Sequence, residues 1–168
     1  IIAEYESYYG NTYFTNYTGY SGTTDKFNRG LWLGKGRKIH GESGVVLQCE
    51  YTGDNSNVPE YFSVIANDSD TLLENVTIKF SGVRYAIHDD YQPKYGKVEW
   101  KNIHFDGVPN KSSVIGGGMG LYCLYFIDGC TFKNNSKDWD INYHASNNDT
   151  TSNVCELRVT NCFGSKRF

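Results

Sequence analysis

The chain has 168 residues, a net charge of −3 at pH 7, 18 glycines and 15% aromatic residues. This length suits a single domain, and the negative charge without a cluster of Lys and Arg argues against nucleic acid as a partner. No apolar run approaches the roughly 18 residues of a membrane-spanning helix, so we expect no membrane insertion.

Residues 1–30 are rich in tyrosine among Gly, Asn and Thr. We interpret this segment as an irregular opening coil that packs against the end of the fold, or alternatively as an aromatic surface on which sugars stack. Residues 31–168 carry the regular coils of the same single domain, 1–168. Because the chain begins with Ile1 rather than Met and stops directly after a strand-like phrase, we expect it to be a fragment of a longer protein.

A short phrase recurs along residues 71–164. Its turn-forming residue stands at Asn75, Asn102, Gly129 and Asn161, at intervals of 27, 27 and 32 residues, and an apolar residue follows each time. A weaker copy begins at Gly44. A repeat of this length is typical of stacked structural units rather than of one globular core.

The phrases alternate apolar and polar residues as half-buried strands do, and no stretch shows helical periodicity. Short strands joined by polar turns at this period predict an all-β fold, a right-handed parallel β-helix (β-solenoid) of about five to six coils. Residues one coil apart should then lie on neighbouring strands, roughly 4.8 Å apart.

Four of the five cysteines support stacking. Cys123 and Cys130 are seven residues apart, as are Cys155 and Cys162, which predicts two columns of stacked cysteines. They are either reduced core residues or stacked disulfides, and this alternative leaves the redox compartment open.

A polar row lies between the repeat phrases. His88, Gly116 and His144 are separated by 28 residues each, which predicts one column on three successive coils. If Ile87 and Tyr143 point inward, strand alternation turns their neighbours outward. We predict a glycine-floored groove with polar banks roughly 9–10 Å apart, able to hold a sugar ring. Its residues are Arg84, His88, Asp90, Gly116, Gly118, Asp140, Asn142 and His144.

Whether the groove also cleaves a glycan is left open. Asp90 and Asp140 lie two coils apart, a scale compatible with the roughly 6.5–9.5 Å between the carboxylates of an inverting hydrolase. Asp89 and Asp138 are weaker candidates for the same chemistry.

A lyase would instead use His88 or His144 as the base, with Arg84 neutralising a uronate carboxylate. No Cys or His spacing resembles a zinc site and no calcium-loop motif is present, so we expect neither a metal nor a cofactor.

Several motifs together resemble the pectate-lyase-like β-helix proteins of bacteriophage and prophage tails. The resemblance covers about residues 28–165 and rests on Arg84-Tyr-Ala-Ile-His88, Lys101-Asn-Ile-His-Phe105, Gly116-Gly-Gly-Met-Gly120 and Asp128-Gly-Cys-Thr-Phe132. It implies a carbohydrate-binding domain of a homotrimeric tail spike or fibre, located in the virion tail or at a cell surface. Such a domain recognises host surface polysaccharide and in some proteins degrades it; a purely structural spacer in a fibre is the third alternative.

Overall fold

The computed structural model describes residues 29–50, 63–89, 95–119, 122–145 and 155–168. Most of the tyrosine-rich opening segment and Asp90 lie outside these ranges. Within them the chain forms strands and no helix, and therefore no helix long and apolar enough to cross a membrane. The strands are β1 (Arg29–Leu33), β2 (Lys38–His40), β3 (Val46–Glu50), β4 (Ser63–Asn67), β5 (Thr71–Glu74), β6 (Thr77–Ser81), β7 (Tyr85–Asp89), β8 (Gly96–Lys101), β9 (His104–Val108), β10 (Ser113–Met119), β11 (Cys123–Asp128), β12 (Thr131–Lys133), β13 (Trp139–Ala145) and β14 (Glu156–Thr160).

Every pair among these 14 described strands is parallel, and together they form three sheets. Sheet 1 has the order β1-β4-β7-β10-β13, sheet 2 the order β14-β11-β8-β5-β2, and sheet 3 the order β12-β9-β6-β3. The chain thus visits the three sheets in turn, once per coil. Bridges from Thr131 to Phe163 and from Trp139 to Arg167 continue the winding beyond β14. The predicted parallel β-helix is confirmed, and the described residues contribute five strands to sheet 1, at the lower end of the five to six coils expected.

The corner between sheets 2 and 3 explains the recurring turn residue. Gly44, Asn75, Asn102, Gly129 and Asn161 all have positive φ, of 83°, 59°, 49°, 65° and 52°. Glycine adopts this left-handed conformation freely, and asparagine tolerates it better than other residues do. The Asn102 amide also donates to the Asn75 side-chain oxygen at 3.2 Å, which links the corners of two coils.

Inward residues stack in columns. In sheet 2 the register aligns Leu73, Trp100 and Ile127, and in sheet 3 the rings of Phe105 and Phe132 stack with their centres 5.0 Å apart. Full burial of one such side chain contributes about 1.5–3 kcal/mol, so repeating it on each coil stabilises the winding. Sheet 1 supplies a third column, with Leu31, Ile65, Ile87, Ile115 and Ile141 in register.

The two cysteine columns are confirmed as well. The pairing of β11 with β14 places Cys155 beside Cys123, and the bridge that follows places Cys162 beside Cys130. All five cysteines of the structure are thiols.

Candidate functional site

The predicted groove lies on sheet 1, but its register differs from the prediction. Gly116 pairs with His88 on one side and with Asn142 on the other, whereas His144 pairs with Gly118. The prediction that His88, Gly116 and His144 share one column is therefore wrong. The step from β10 to β13 is two residues shorter than the step from β7 to β10, so equal spacing in the sequence did not mean equal position along the strand.

The assignment of inward residues in sheet 1 is confirmed. The Tyr143 hydroxyl donates to Asp89 and accepts a hydrogen bond from the Trp100 indole at 3.3 Å, and its ring lies 5.1 Å from the Tyr125 ring. Burial, together with the Asp89 carboxylate, raises the pKa of Tyr143. Asp89, a weaker candidate for catalysis, therefore lies inside the solenoid as a hydrogen-bond acceptor.

The outward face of sheet 1 is closed around His88. His88 is only 5% exposed, with its ring 4.6 Å from the ring of Tyr85. Gly116 and Gly118 are buried too, and strands β4, β7 and β10 are buried along nearly their whole length. The predicted open groove with a glycine floor is wrong here, because residues on both faces of these strands are removed from solvent.

Asp140 has a structural set of contacts. It is fully buried, accepts a hydrogen bond from the Asn135 amide at 2.7 Å and another from the backbone N–H of Lys166 at 3.0 Å. These bonds tie the end of the described chain to β13, so the prediction that Asp140 faces an open groove is wrong. Its predicted partner Asp90 lies outside the described residues, and Asp138 is exposed.

The other three predicted ligand residues are only partly accessible or stand apart. Arg84 is half-buried with its guanidinium 5.1 Å from the centre of the Tyr85 ring, and Asn142 is half-buried. His144 is exposed. The structure does not bring the described members of the predicted set together on one accessible surface.

A different surface, on sheet 2, presents an ordered array to solvent. Alternation in β8 buries Val98 and Trp100 and turns the intervening residues outward, and β11 follows the same pattern. We define the sheet 2 face as the outward residues of β8, β11 and β14 together with Tyr95 and Tyr122. The register arranges its strand residues in three rows across the coils: Lys97–Leu124–Glu156, Glu99–Phe126–Arg158 and Lys101–Asp128–Thr160.

Ion pairs and cation–ring contacts link the outward side chains of the sheet 2 face. Glu99 lies 2.9 Å from the Lys97 ammonium and 2.5 Å from that of Lys101. Partial burial raises the pKa of Glu99, but hydrogen bonds from the two lysines outweigh it and the net pKa is lowered. Lys97 and Arg158 lie 4.7 and 5.2 Å from the centre of the Phe126 ring, so two cations contact this aromatic ring.

Two tyrosines extend this surface. Tyr95 and Tyr122 directly precede β8 and β11, are 67% and 48% exposed, and stack with ring centres 5.1 Å apart and planes 6° from parallel. Both have positive φ, 56° and 57°. Such a conformation costs on the order of 1–3 kcal/mol for a bulky residue. Because the rings are exposed, their burial does not offset this cost.

Together these residues form an apolar strip beside charged rows. Leu124 and Phe126 lie on the outward side of β11, about 7 Å apart at about 3.3 Å per residue, and the exposed Tyr122 directly precedes this strand. Tyr95 and Tyr122 are one repeat period apart, so the sequence contained a signal that these two residues lie next to each other on neighbouring coils. It was missed because both residues precede their strands, where the sequence pattern indicates only a loop.

A concave surface lies at the corner between sheets 2 and 3. It has a volume of about 340 Å³, and its lining includes Glu42, Ser43, Asn75, Asn102 and His104. His104 is held by a 2.8 Å contact between its Nδ1 and the Thr131 hydroxyl. The lining of this concave surface is mainly polar, unlike the apolar strip on sheet 2. Among the described residues, no group of three or more His, Cys, Asp or Glu side chains is arranged to hold a metal ion.

Comparisons of this chain with protein-family models, with curated proteins and with solved structures find no match. The resemblance to tail proteins of bacteriophages therefore stays a prediction from the motifs, and any functional assignment must depend on the geometry of the surface itself.

Proposed function

We propose that this chain is a carbohydrate-binding β-helix module that holds an extended host glycan on the sheet 2 face. The observation that carries the proposal is the exposed, stacked pair of Tyr95 and Tyr122 in left-handed backbone conformation. This backbone conformation is unfavourable for bulky residues, yet it occurs on two successive coils and in both places an aromatic ring is exposed to solvent. Backbone strain of this kind concentrates at functional sites.

The chemistry of the face suits a sugar chain. The flat C–H face of a pyranose ring packs against aromatic and aliphatic side chains, which Leu124 and Phe126 offer on β11 and Tyr122 offers directly before it. Carboxylates and ammonium groups beside this row accept from and donate to sugar hydroxyls. Glu99 and Asp128 flank the strip in register with Phe126 and Lys101, so both kinds of contact are available to one oligosaccharide.

The charge balance of sheet 2 favours a neutral glycan. The cations of the sheet 2 face pair with carboxylates rather than forming a basic row, as Lys97 and Lys101 do with Glu99 and Arg158 does with Glu156. A polyanionic chain would have to displace these contacts. We therefore expect uncharged polysaccharides to bind more tightly than uronic-acid polymers at moderate salt.

The test is a comparison of Tyr122→Ala and Phe126→Ala with a matched control. Phe163→Ala removes an aromatic ring that is 72% exposed. The backbone of Phe163 bridges to Thr131 of sheet 3, away from the strip. Loss of one packed aromatic contact, worth about 1.5–3 kcal/mol when fully buried, should weaken binding at least tenfold. Glycan arrays would find the ligand, and titration calorimetry on folded variants would measure its affinity.

Wild-type affinity in both sheet 2 variants, or an equal loss in the control, would overturn the assignment of this face. Concentration-dependent self-association that disappears in Tyr122→Ala would also count against it, since exposed apolar strips serve protein interfaces too.

Binding without cleavage is the form of the proposal that the carboxylates support. A general acid needs a pKa raised toward neutrality. On the sheet 2 face the pKa of Glu99 is lowered, and hydrogen bonds from the Thr160 hydroxyl and the Asn161 amide lower that of Asp128. Prolonged incubation with the bound glycan should release no reducing ends and no unsaturated uronide. Release of either product would make the protein an enzyme.

The setting in a homotrimeric tail spike or fibre of a virion rests on the sequence motifs alone, and we propose it on that basis. Sedimentation equilibrium should show a mass three times that of the chain. A monomer across the concentrations at which the glycan binds would remove the trimer from the proposal while leaving the binding face untouched.

A further inference from the structure

The last two described coils meet at a pair of cysteines in equivalent positions. Cys130 directly follows Gly129 and Cys162 directly follows Asn161, the left-handed residues of two successive corners. The backbone N–H of Phe163 donates to the Cys130 carbonyl at 3.0 Å, which fixes the two corners in register. The side chains therefore lie next to each other on neighbouring coils.

The spacing meets the requirement for a disulfide. Parallel strands lie about 4.8 Å apart, within the roughly 4.4–6.8 Å that separates the Cα atoms of bridged cysteines. Both sulfur atoms lie against backbone carbonyls of sheet 2. Cys130 Sγ is 3.5 Å from the carbonyl oxygen of Trp100, on the coil away from Cys162, and 3.6 Å from that of Asp128, whereas Cys162 Sγ is 3.6 Å from that of Ile127.

The environment differs between the two cysteine columns. A hydrogen bond from the Cys130 thiol lowers the pKa of Cys162 from 9.0 to about 7, and the same bond, with burial, raises the pKa of Cys130. In the other column, burial and the charge of Asp70 raise the pKa of Cys123 to about 11. The thiolate is the attacking species in disulfide exchange. The column of Cys130 and Cys162 should therefore react before the column of Cys123 and Cys155.

We propose that Cys130 and Cys162 form a disulfide that ties the fifth coil to the fourth when the protein meets a small-molecule disulfide oxidant. The Cys162 thiolate attacks a sulfur of the oxidant, whose S–S bond breaks and releases one thiolate. The Cys130 thiol then loses its proton and attacks Cys162 Sγ, which releases the second thiolate. The two cysteines together lose two protons and two electrons, and the oxidant becomes two thiols.

The cross-link would act where the described solenoid is least buried. Among the described strands, β14 lies at the edge of sheet 2 and pairs only with β11, and four of its five residues are exposed. Joining Cys162 to Cys130 restricts the unfolded chain and so favours the wound state. If the proposed glycan face is correct, the bond also secures Arg158 against Phe126.

The experiment treats the protein with excess oxidised glutathione, blocks remaining thiols with iodoacetamide and digests it with trypsin without reduction. Cleavage at Lys and Arg separates Cys162 in residues 159–166 from Cys155 in residues 138–158, and both from residues 112–133, which hold Cys123 and Cys130. We expect peptide 112–133 joined to peptide 159–166 and released by reductant. The Cys123→Ser variant, which should give the same product, assigns the bond to Cys130.

Oxidation should also raise the midpoint of thermal unfolding, and reductant should reverse the shift. Cys162→Ser should abolish both effects, whereas the matched control Cys49→Ser should keep them, because Cys49 lies opposite Phe80 in sheet 3. Peptide 112–133 joined to 138–158 instead, an unresolved glutathione adduct on Cys162, or full alkylation of both cysteines would overturn the proposal. None of these outcomes depends on glycan binding.

Discussion

Gly107 is the position where one added methyl group should disturb the winding most directly. It lies in β9 opposite Phe80 of β6, on the coil before it. A Cβ at Gly107 would stand 2.0 Å from the Phe80 carbonyl oxygen and 3.0 Å from a carbon of its ring. The first of these contacts is with backbone, which cannot rotate away as a flexible side chain can. In Gly107→Ala the two coils must therefore separate locally.

The magnitude follows from that contact. Overpacking a well-filled site costs about 1–3 kcal/mol, and we expect the upper end, about 3 kcal/mol, because both strands are held by parallel pairing along their length. At roughly 2–4 °C per kcal/mol for a chain of this size, the unfolding midpoint should fall by about 6–12 °C.

The assay is a thermal melt followed by circular dichroism, with Gly44→Ala as the control. Gly44 has a φ of 83°, and a Cβ there would meet no heavy atom within 4 Å. Its substitution tests left-handed conformation alone and should cost only about 1–2 kcal/mol. A fall for Gly107→Ala equal to or smaller than that of the control would refute the close approach of adjacent coils at this position.

Three further predictions concern the corner, the end of the described chain and the reactive thiol. Asn102→Ala should destabilise the fold by about 1–2 kcal/mol more than Asn102→Gly in urea unfolding, since only alanine strains the left-handed corner; equal losses would contradict this. Asp140→Ala should cost at least about 2 kcal/mol, because one N–H of the Asn135 amide and the backbone N–H of Lys166 lose their acceptor; a neutral result would exclude a structural role. Alkylation of Cys162 should begin at lower pH than that of an ordinary thiol, because the lowered pKa exposes thiolate earlier; the pH profile of an ordinary thiol would argue against the hydrogen bond from Cys130.

Local chemistry made much of the fold predictable. The turn residues at Asn75, Asn102, Gly129 and Asn161 adopt left-handed backbone that few residue types tolerate, so they leave a periodic mark in the sequence. Apolar alternation then marks the strands between them. Stacking of the cysteine columns followed from the same period, because residues one coil apart become neighbours on parallel strands.

The candidate site was less predictable, since it depends on the register between coils and on which strand faces are covered. Neither is a property of a single coil. A coil two residues shorter than the one before it placed Asn142, not His144, beside Gly116. Burial of both faces of β7 and β10 removed His88 from solvent, and alternation cannot reveal whether an outward face is covered.

The amino-acid sequence by itself determined the repeating backbone of this protein: where the corners fall, which residues line the interior, and that the coils wind in parallel. Backbone conformation and hydrophobic alternation are properties of neighbouring residues, so each coil encodes them independently. Only the tertiary structure decided which outward surface is open and which side chains meet on it. Tyr95 and Tyr122 stack, and Phe126 contacts Lys97 and Arg158, because three separate coils bring them together.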